Sequence, residues 1–420
     1  MDPYLLDWAN LLLRWLHVIT AVAWIGASFY FVLLDDSLHK PEDPELLKKG
    51  VDGEAWAVHG GGFYHSNKYM AAPAKLPESL HWSYWESYST WLSGFGLLTV
   101  LYFFNASSFL VDKNVYDWSA RASVIGALCY LGLGWIVYDS ICRLFGRTKD
   151  GQVGGDLKVG VLIFVYVCVA AWIACHFFAG RAAFLLTGAM IATIMSANVF
   201  FVIIPGQRKV VAAMRAGLPV DPNHGRRGKQ RSVHNTYFTL PVIIAMLSNH
   251  YGMLYQSKLN WLVLILMMLA GALIRLFFVL RHKGPNHQRA GHQLVAVRAL
   301  VAQHELVTGS LVVIALVAFL AAPKAELEAA PVAGAEAKPA LTGFAQVESI
   351  VKERCVLCHN AVVINKNIQL HTPELVKKHA QDIYQQAVML KTMPLNNATQ
   401  ITAAERAALG KWYEGGAKTE

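Results

Sequence analysis

Apolar residues in this chain gather into long uninterrupted runs, each bounded by a short polar and often basic stretch. A helix of about 20 such residues spans the ~30 Å hydrocarbon core of a bilayer. Eight runs meet this description: 11–34, 86–104, 119–138, 159–178, 182–204, 237–251, 259–280 and 299–322. The sixth is short and contains Pro241. Residues 323–342 are rich in Ala, Pro and Glu and read as a tether. Residues 343–420 are polar, with helical patterns at 344–354 and 402–414. The pattern predicts an all-α protein: an eight-helix polytopic membrane bundle over 1–322, a linker over 323–342 and a small C-terminal domain over 343–420.

Composition agrees. Of 420 residues, 55% are hydrophobic and 15% charged, against about 25% charged in a soluble domain. The net charge of +9 does not indicate nucleic acid, because the basic residues sit in loops between apolar runs and form no soluble face. They report orientation. Loops after the odd-numbered runs carry Lys40, Lys48, Lys49, Arg143, Arg147, Arg208, Lys209, Arg226 and Arg227, whereas the other side holds Lys113, Arg181 and Lys258, with Arg121 at a boundary. The positive-inside rule makes the first set cytoplasmic and places both termini outside. The first run has no small-residue cleavage site and is expected to stay as a crossing. Cys129, Cys142, Cys168 and Cys175 lie in or beside apolar runs, read as small hydrophobes, and imply no disulfide framework.

The other two cysteines belong to Cys355-Val356-Leu357-Cys358-His359, the C-x-x-C-H signature of covalent c-type haem. Two thioether bonds tether the porphyrin, and His359 becomes the proximal iron ligand. No second cysteine pair exists to complete a zinc site. Met393, in Lys391-Thr392-Met393-Pro394, is the expected sixth ligand, since Pro394 keeps it on an extended loop. Met389 lies in a helical pattern and reads as packing. The tail is thus expected to be a class I cytochrome c that moves single electrons. In bacteria haem is attached outside the cytoplasm, which agrees with the charge bias and points to the inner membrane with the cytochrome in the periplasm.

Ionisable groups at membrane depth are costly to bury and are functional candidates. On the outer side stand His17, His176 and His250, a trio able to hold a haem b or another metal in the bundle; the alternative is three helix-end imidazoles bonded to water or nearby carbonyls. On the inner side are His59, His65, His81, Glu86, His234, Arg275, His304 and Glu305. The planar fork of Arg275 suits a flat anion, the alternative being an ion pair with Glu305. The run Gly60-Gly61-Gly62 lets backbone N–H groups approach a ligand, unless it is only flexible, and it is not a Walker loop. His224, His282, His287 and His292 read as solvated, and Asn198 and Asn249 as contacts between helices.

Several longer motifs stand together: Trp15-Leu16-His17-Val18 with Trp24-Ile25-Gly26; residues 54–69, EAWAVHGGGFYHSNKY; Trp85-Glu86-Ser87-Tyr88 with Trp91-Leu92-Ser93-Gly94-Phe95; residues 195–207, MSANVFFVIIPGQ; and residues 234–251, HNTYFTLPVIIAMLSNHY. Through them the chain resembles, over essentially its whole length, the membrane-bound urate oxidases, an eight-helix domain often fused to a C-terminal cytochrome c. The resemblance implies oxidation of urate to 5-hydroxyisourate in purine breakdown, with electrons leaving through the cytochrome to a downstream oxidase or other acceptor. It carries no catalytic residue list. From the residues themselves, Arg275 is expected to hold the urate anion, one of His59, His65 and His234 to accept a proton near Glu86, and the outer histidines to serve as an intermediate electron centre. Two other classes remain: a quinol-dehydrogenating or terminal-oxidase-like unit, and a transporter or sensor carrying a haem tail.

Overall fold

A computed structural model describes residues 3–69, 73, 75–113, 115–148, 152–281, 293–321, 343–360, 368–389, 391–394, 397 and 399–419. The expected linker and His282, His287 and His292 lie outside the described residues.

The long helices are α1 (Pro3–Ser37), α2 (Trp85–Leu98), α3 (Ala120–Phe145), α4 (Asp156–Phe177), α5 (Gly180–Ala197), α6 (Ile204–Arg215), α7 (Pro222–Leu247), α8 (Asn260–Arg281), α9 (Gln293–Ala321), α10 (Phe344–Arg354) and α11 (Ala403–Glu414). A π turn, Asn198–Ile203, joins α5 to α6 into one rod, and another, Thr99–Phe103, extends α2. Among the described residues, six stretches are long and apolar enough to cross a membrane, as in a membrane protein: Trp8–Ser37, Ala120–Phe145, Asp156–Phe177, Gly180–Arg215, Asn260–Leu280 and His304–Ala321. Two of the eight expected runs do not reach that length and apolarity. The missing pair, 86–104 and 237–251, is helical. However, α2 is only 14 residues long before its π turn, and the first half of α7 carries Arg226, Arg227, Lys229 and Arg231, which leaves little apolar length.

The chain is mostly helical, as expected, with one addition. Residues after α1 form an antiparallel hairpin, β1 (Gly53–His59) with β2 (Gly62–Lys68), in which Trp56 faces His65 and His59 faces Gly62. Its two-residue turn is Gly60-Gly61, with φ of +59° and +80°, the paired positive values that a type I′ hairpin turn demands. The glycine run therefore closes a hairpin and does not form a ligand cradle. At the hairpin base Lys68 Nζ donates to Asp35 Oδ1 of α1 (2.6 Å), and Lys229 Nζ of α7 reaches the other oxygen (2.7 Å).

Helices approach closely where glycine removes a side chain, as membrane helix interfaces favour. The His17 ring of α1 lies against Gly94 of α2, where a Cβ would stand 2.8 Å from its Cε1. Gly271 of α8 abuts the α7 backbone, where a Cβ would meet the Leu240 carbonyl carbon and the Pro241 nitrogen at 3.1 Å. The main core is built around α3, α4 and α5, with Tyr138, Phe184, Leu186 and Met190 fully buried.

In the tail, α10 packs Val347, Ile350 and Val351 against Leu370, Val376, Ile383 and Leu409. Thr402 caps α11, whose Glu405 returns to the Thr402 backbone N–H and also pairs with Arg354 (2.9 Å), a reciprocal capping box.

Gly271→Val is expected to force α7 and α8 apart and cost about 1–3 kcal/mol, read as a lower unfolding midpoint of the detergent-solubilised protein. Gly132→Ala, with nothing within 4 Å of its Cβ, should leave the midpoint unchanged.

Candidate active site at the basic end of the bundle

The π turn at Asn198–Ile203 precedes Pro205. Proline has no N–H for the preceding turn and crowds it, and the Ile204 N–H reaches back to the Val199 carbonyl, five residues away. The widened turn directs Asn198 inward, where it is fully buried. Such π turns recur at functional sites.

Around Asn198 a polar network links α3, the π turn and α7. Asn235 Nδ2 donates to the Met195 carbonyl (3.0 Å), which turns Asn235 Oδ1 toward Asn198 Nδ2 (2.8 Å). The same Asn198 amide donates to the Tyr138 hydroxyl oxygen (2.9 Å). With its oxygen already accepting, Tyr138 gives its own proton to His234 Nδ1 (2.8 Å), an assignment made from the network. His234 is then the neutral tautomer with its proton on Nε2. Cys142 Sγ stands 3.9 Å from the same Nδ1.

One turn earlier on α7, Arg231 is 4% exposed. Its Nη2 donates to Asp139 Oδ1 of α3 (2.6 Å), its guanidinium lies 4.9 Å from the Tyr138 ring centre, and its Nη1 is buried with no hydrogen-bond partner among the described residues. Arg143 pairs with the other Asp139 oxygen.

Asp139, Cys142, Arg143 and Arg231 line a cavity of about 190 Å³ bounded by α3, the π turn, α6 and α7, with the rest of the network behind them. Arg143, Arg147, Lys209, Arg227 and Arg231 line it against one carboxylate, Asp139. The excess positive charge, half enclosed by protein, focuses an anion-attracting field. Phe201 supplies an aromatic wall, and Gln230, whose Nε2 is held by Asp156 (2.8 Å), keeps its Oε1 for another donor. His224, expected to be solvated, also lines this cavity. The arrangement is fitted to a small planar anion carrying N–H groups.

A family model described as urate oxidase, N-terminal, matches residues 3–307. The chain belongs to this family. No curated protein and no solved structure matches the chain. Membership makes the chain an oxidoreductase of urate-related chemistry. The matched region includes the whole basic cavity and ends before the tail.

Within the family frame the expected residues separate. His234 joins the network behind the cavity wall. His65 is held elsewhere, with Nε2 2.6 Å from Glu54 Oε2 and its ring stacked on Trp56 at 4.1 Å. His59 is exposed at the hairpin end, and Glu86 is half-buried in the first turn of α2; neither lines the cavity. Arg275 is 1% exposed and also lies away from it. Arg275 Nε reaches the Thr236 carbonyl of α7 and its Nη2 the Ser28 carbonyl of α1, each at 3.3 Å. The guanidinium centre sits 3.5 Å from the Phe29 ring centre, and among the described residues no carboxylate pairs with it. Two of its guanidinium nitrogens are thus engaged by backbone carbonyls.

The outer histidines do not gather. His17 Nδ1 meets the Thr90 carbonyl (3.0 Å) and Ser93 Oγ (3.2 Å), clipping α1 to α2. His176 Nδ1 donates to its own helix at the Trp172 carbonyl (2.7 Å), and His250 is exposed. Among the described residues no group of three His, Cys, Asp or Glu side chains is placed to hold a metal ion.

The tail residues do fit a covalent haem. His359 Nδ1 donates to the Ile368 carbonyl (3.0 Å), which fixes the ring and leaves Nε2 for iron. The Met393 loop is pinned, its N–H on the Gln386 carbonyl (3.0 Å) and its carbonyl on Arg406 Nη1 (2.8 Å). Burial pushes the Cys355 thiol up to about 11. Met389, expected to pack, is 63% exposed.

Sequence reading missed Arg231, Asp139, Tyr138 and Cys142. Two signals were present: Asp139 is the only acid in the apolar helix α3, and Arg231, His234, Asn235 and Phe238 recur at the spacing of one helix face.

Arg275→Ala should cost about 1 kcal/mol for each hydrogen bond it removes, seen as a lowered unfolding midpoint. Calorimetric binding of anions at the basic cavity should be unaltered.

Proposed function

We propose that this chain oxidises urate to 5-hydroxyisourate in the cavity at the basic end of the bundle. The observation that carries the reading is Arg231, a buried guanidinium with one nitrogen fixed by Asp139 and Nη1 left without a partner among the described residues, in a cavity of excess positive charge. A buried donor of that kind is costly unless something accepts from it. The urate monoanion is flat, charged and rich in acceptor oxygens. Family membership supports it as substrate.

In this reading Arg143, Arg147, Lys209 and Arg227 at the mouth draw the anion in, Arg231 binds a ring oxygen, Gln230 Oε1 accepts a ring N–H, and Phe201 covers one face. Asp139 holds the Arg231 fork. His234 is the proton acceptor, taking a proton at Nδ1 through the Tyr138 hydroxyl already directed at it. Water adds to the oxidised ring.

Cys355, Cys358, His359 and Met393 would hold haem c, which when bound supplies a one-electron acceptor. The placement that goes with this reading is a bacterial inner membrane, with eight crossings, the basic end in the cytoplasm and the tail in the periplasm, where a cytochrome oxidase or another acceptor takes the electrons. Charge bias between loops and the haem attachment motif support it.

Two measurements test the proposal. Arg231→Gln is expected to raise KM for urate by about ten- to a hundredfold, the value of a charge-assisted hydrogen bond, whereas His234→Gln and Tyr138→Phe lower kcat by about 10²-fold or more with KM little changed; unaltered urate affinity in Arg231→Gln would retire the site. Anaerobic urate should bleach the oxidised c-type spectrum of the purified protein with no stoichiometric peroxide under air. The Cys355→Ala/Cys358→Ala variant should lose haem staining on a denaturing gel.

A further inference from the structure

A second cavity, of about 220 Å³, lies between α4, α7 and α8. Ile163, Val167, Phe238, Ile265 and Leu269 make its walls apolar, and no Lys, Arg, Asp or Glu lines it. The helices around it include two of the membrane-length stretches, Asp156–Phe177 and Asn260–Leu280. Its rim carries Gly160, which has nothing within 4 Å of an added Cβ, and the half-exposed Phe164. A body entering there comes from the lipid side.

Two polar side chains interrupt this apolar surface, His234 and Tyr237, three residues apart on one face of α7. The Tyr138 hydroxyl occupies His234 Nδ1 and leaves the proton on Nε2. Among the described residues neither Nε2 nor the Tyr237 hydroxyl has a hydrogen-bond partner. Two donors inside an apolar chamber call for an acceptor oxygen on a hydrophobic body. An acyl chain brings no acceptor. A phospholipid head brings a charge that nothing here offsets.

We infer that the cavity between α4, α7 and α8 binds the ring of a lipid-soluble quinone, with a ring carbonyl accepting from His234 Nε2–H and the Tyr237 hydroxyl and the isoprenoid tail leaving past Gly160 and Phe164. The site goes beyond the urate reading and is separate from the basic cavity, although His234 borders it on one side and contacts Cys142 of the basic cavity on the other.

The test uses the full-length protein in lipid nanodiscs and needs no urate. A photoreactive azido-ubiquinone with a short tail is cross-linked, and the labelled peptides are mapped by mass spectrometry. Saturable labelling within 160–168, 234–241 or 265–272 is expected, with at least tenfold loss in the presence of excess decylubiquinone. Leu269→Trp should abolish the label by filling the chamber, with the unfolding midpoint as a control for folding, and Tyr237→Phe should raise the competitor concentration needed. Labelling that does not saturate, or that oleate displaces as well as decylubiquinone does, overturns the inference. The competition on the unmodified protein decides this even if a variant fails to fold.

Discussion

A helix inside a bilayer has no water to satisfy a backbone group that its own ladder abandons, and this chain interrupts the ladder twice near its basic end. At Pro205 the preceding turn widens to π geometry and swings Asn198 into the interior. At Pro241 the α7 ladder lacks the donor for the Tyr237 carbonyl, and at the adjacent Thr236 carbonyl Arg275 reaches across from α8. Beside each proline a side chain ties the helix to a neighbour, Asn198 to Tyr138 and Asn235 in one case and Arg275 to Thr236 in the other. Gly271 allows α8 close enough for Arg275 to reach.

With the helices so tied, the polar network follows. Asn235 is oriented by the Met195 carbonyl, Asn198 by Asn235, Tyr138 by Asn198, and His234 by Tyr138. The chain of donors runs in one direction only, because reversing any amide would set two oxygens face to face. Its result is an imidazole of defined tautomer between a basic, solvent-reaching cavity and an apolar, lipid-facing one. Arg231 belongs to the same helix face, and its pairing with Asp139 holds the fork while leaving one nitrogen unused.

Individual residues show how far the sequence could be read. The apolar runs marked the helices, because one twenty-residue run maps onto one crossing without reference to any other part of the chain; the two discrepancies, α2 and α7, are the runs that a π turn shortens or that basic residues invade. The hairpin was overlooked although Gly60-Gly61 is a strong turn signal, since the run was weighed as a ligand loop. Arg275 was singled out correctly as an unusual buried cation, but its depth said nothing about whether it faced a ligand or a strained carbonyl. Arg231 lies outside the apolar run 237–251, in the roughly four turns by which α7 precedes it, where an arginine reads as a loop residue.

The sequence by itself determined what is local: the apolar lengths, the charge asymmetry between loops, the Cys-x-x-Cys-His tail with its last helix, and the family to which residues 3–307 belong. Only the tertiary structure decided which polar residues meet. His17 and His176 are each held by neighbouring carbonyls, whereas Asp139, Asn198, Arg231 and His234 come from three segments and share one network. The reason is geometric: spacing along one helix fixes which side chains share a face, but the rotation of one helix about its axis relative to the next is set by packing, and at about 100° per residue a single step of register separates a shared site from scattered groups.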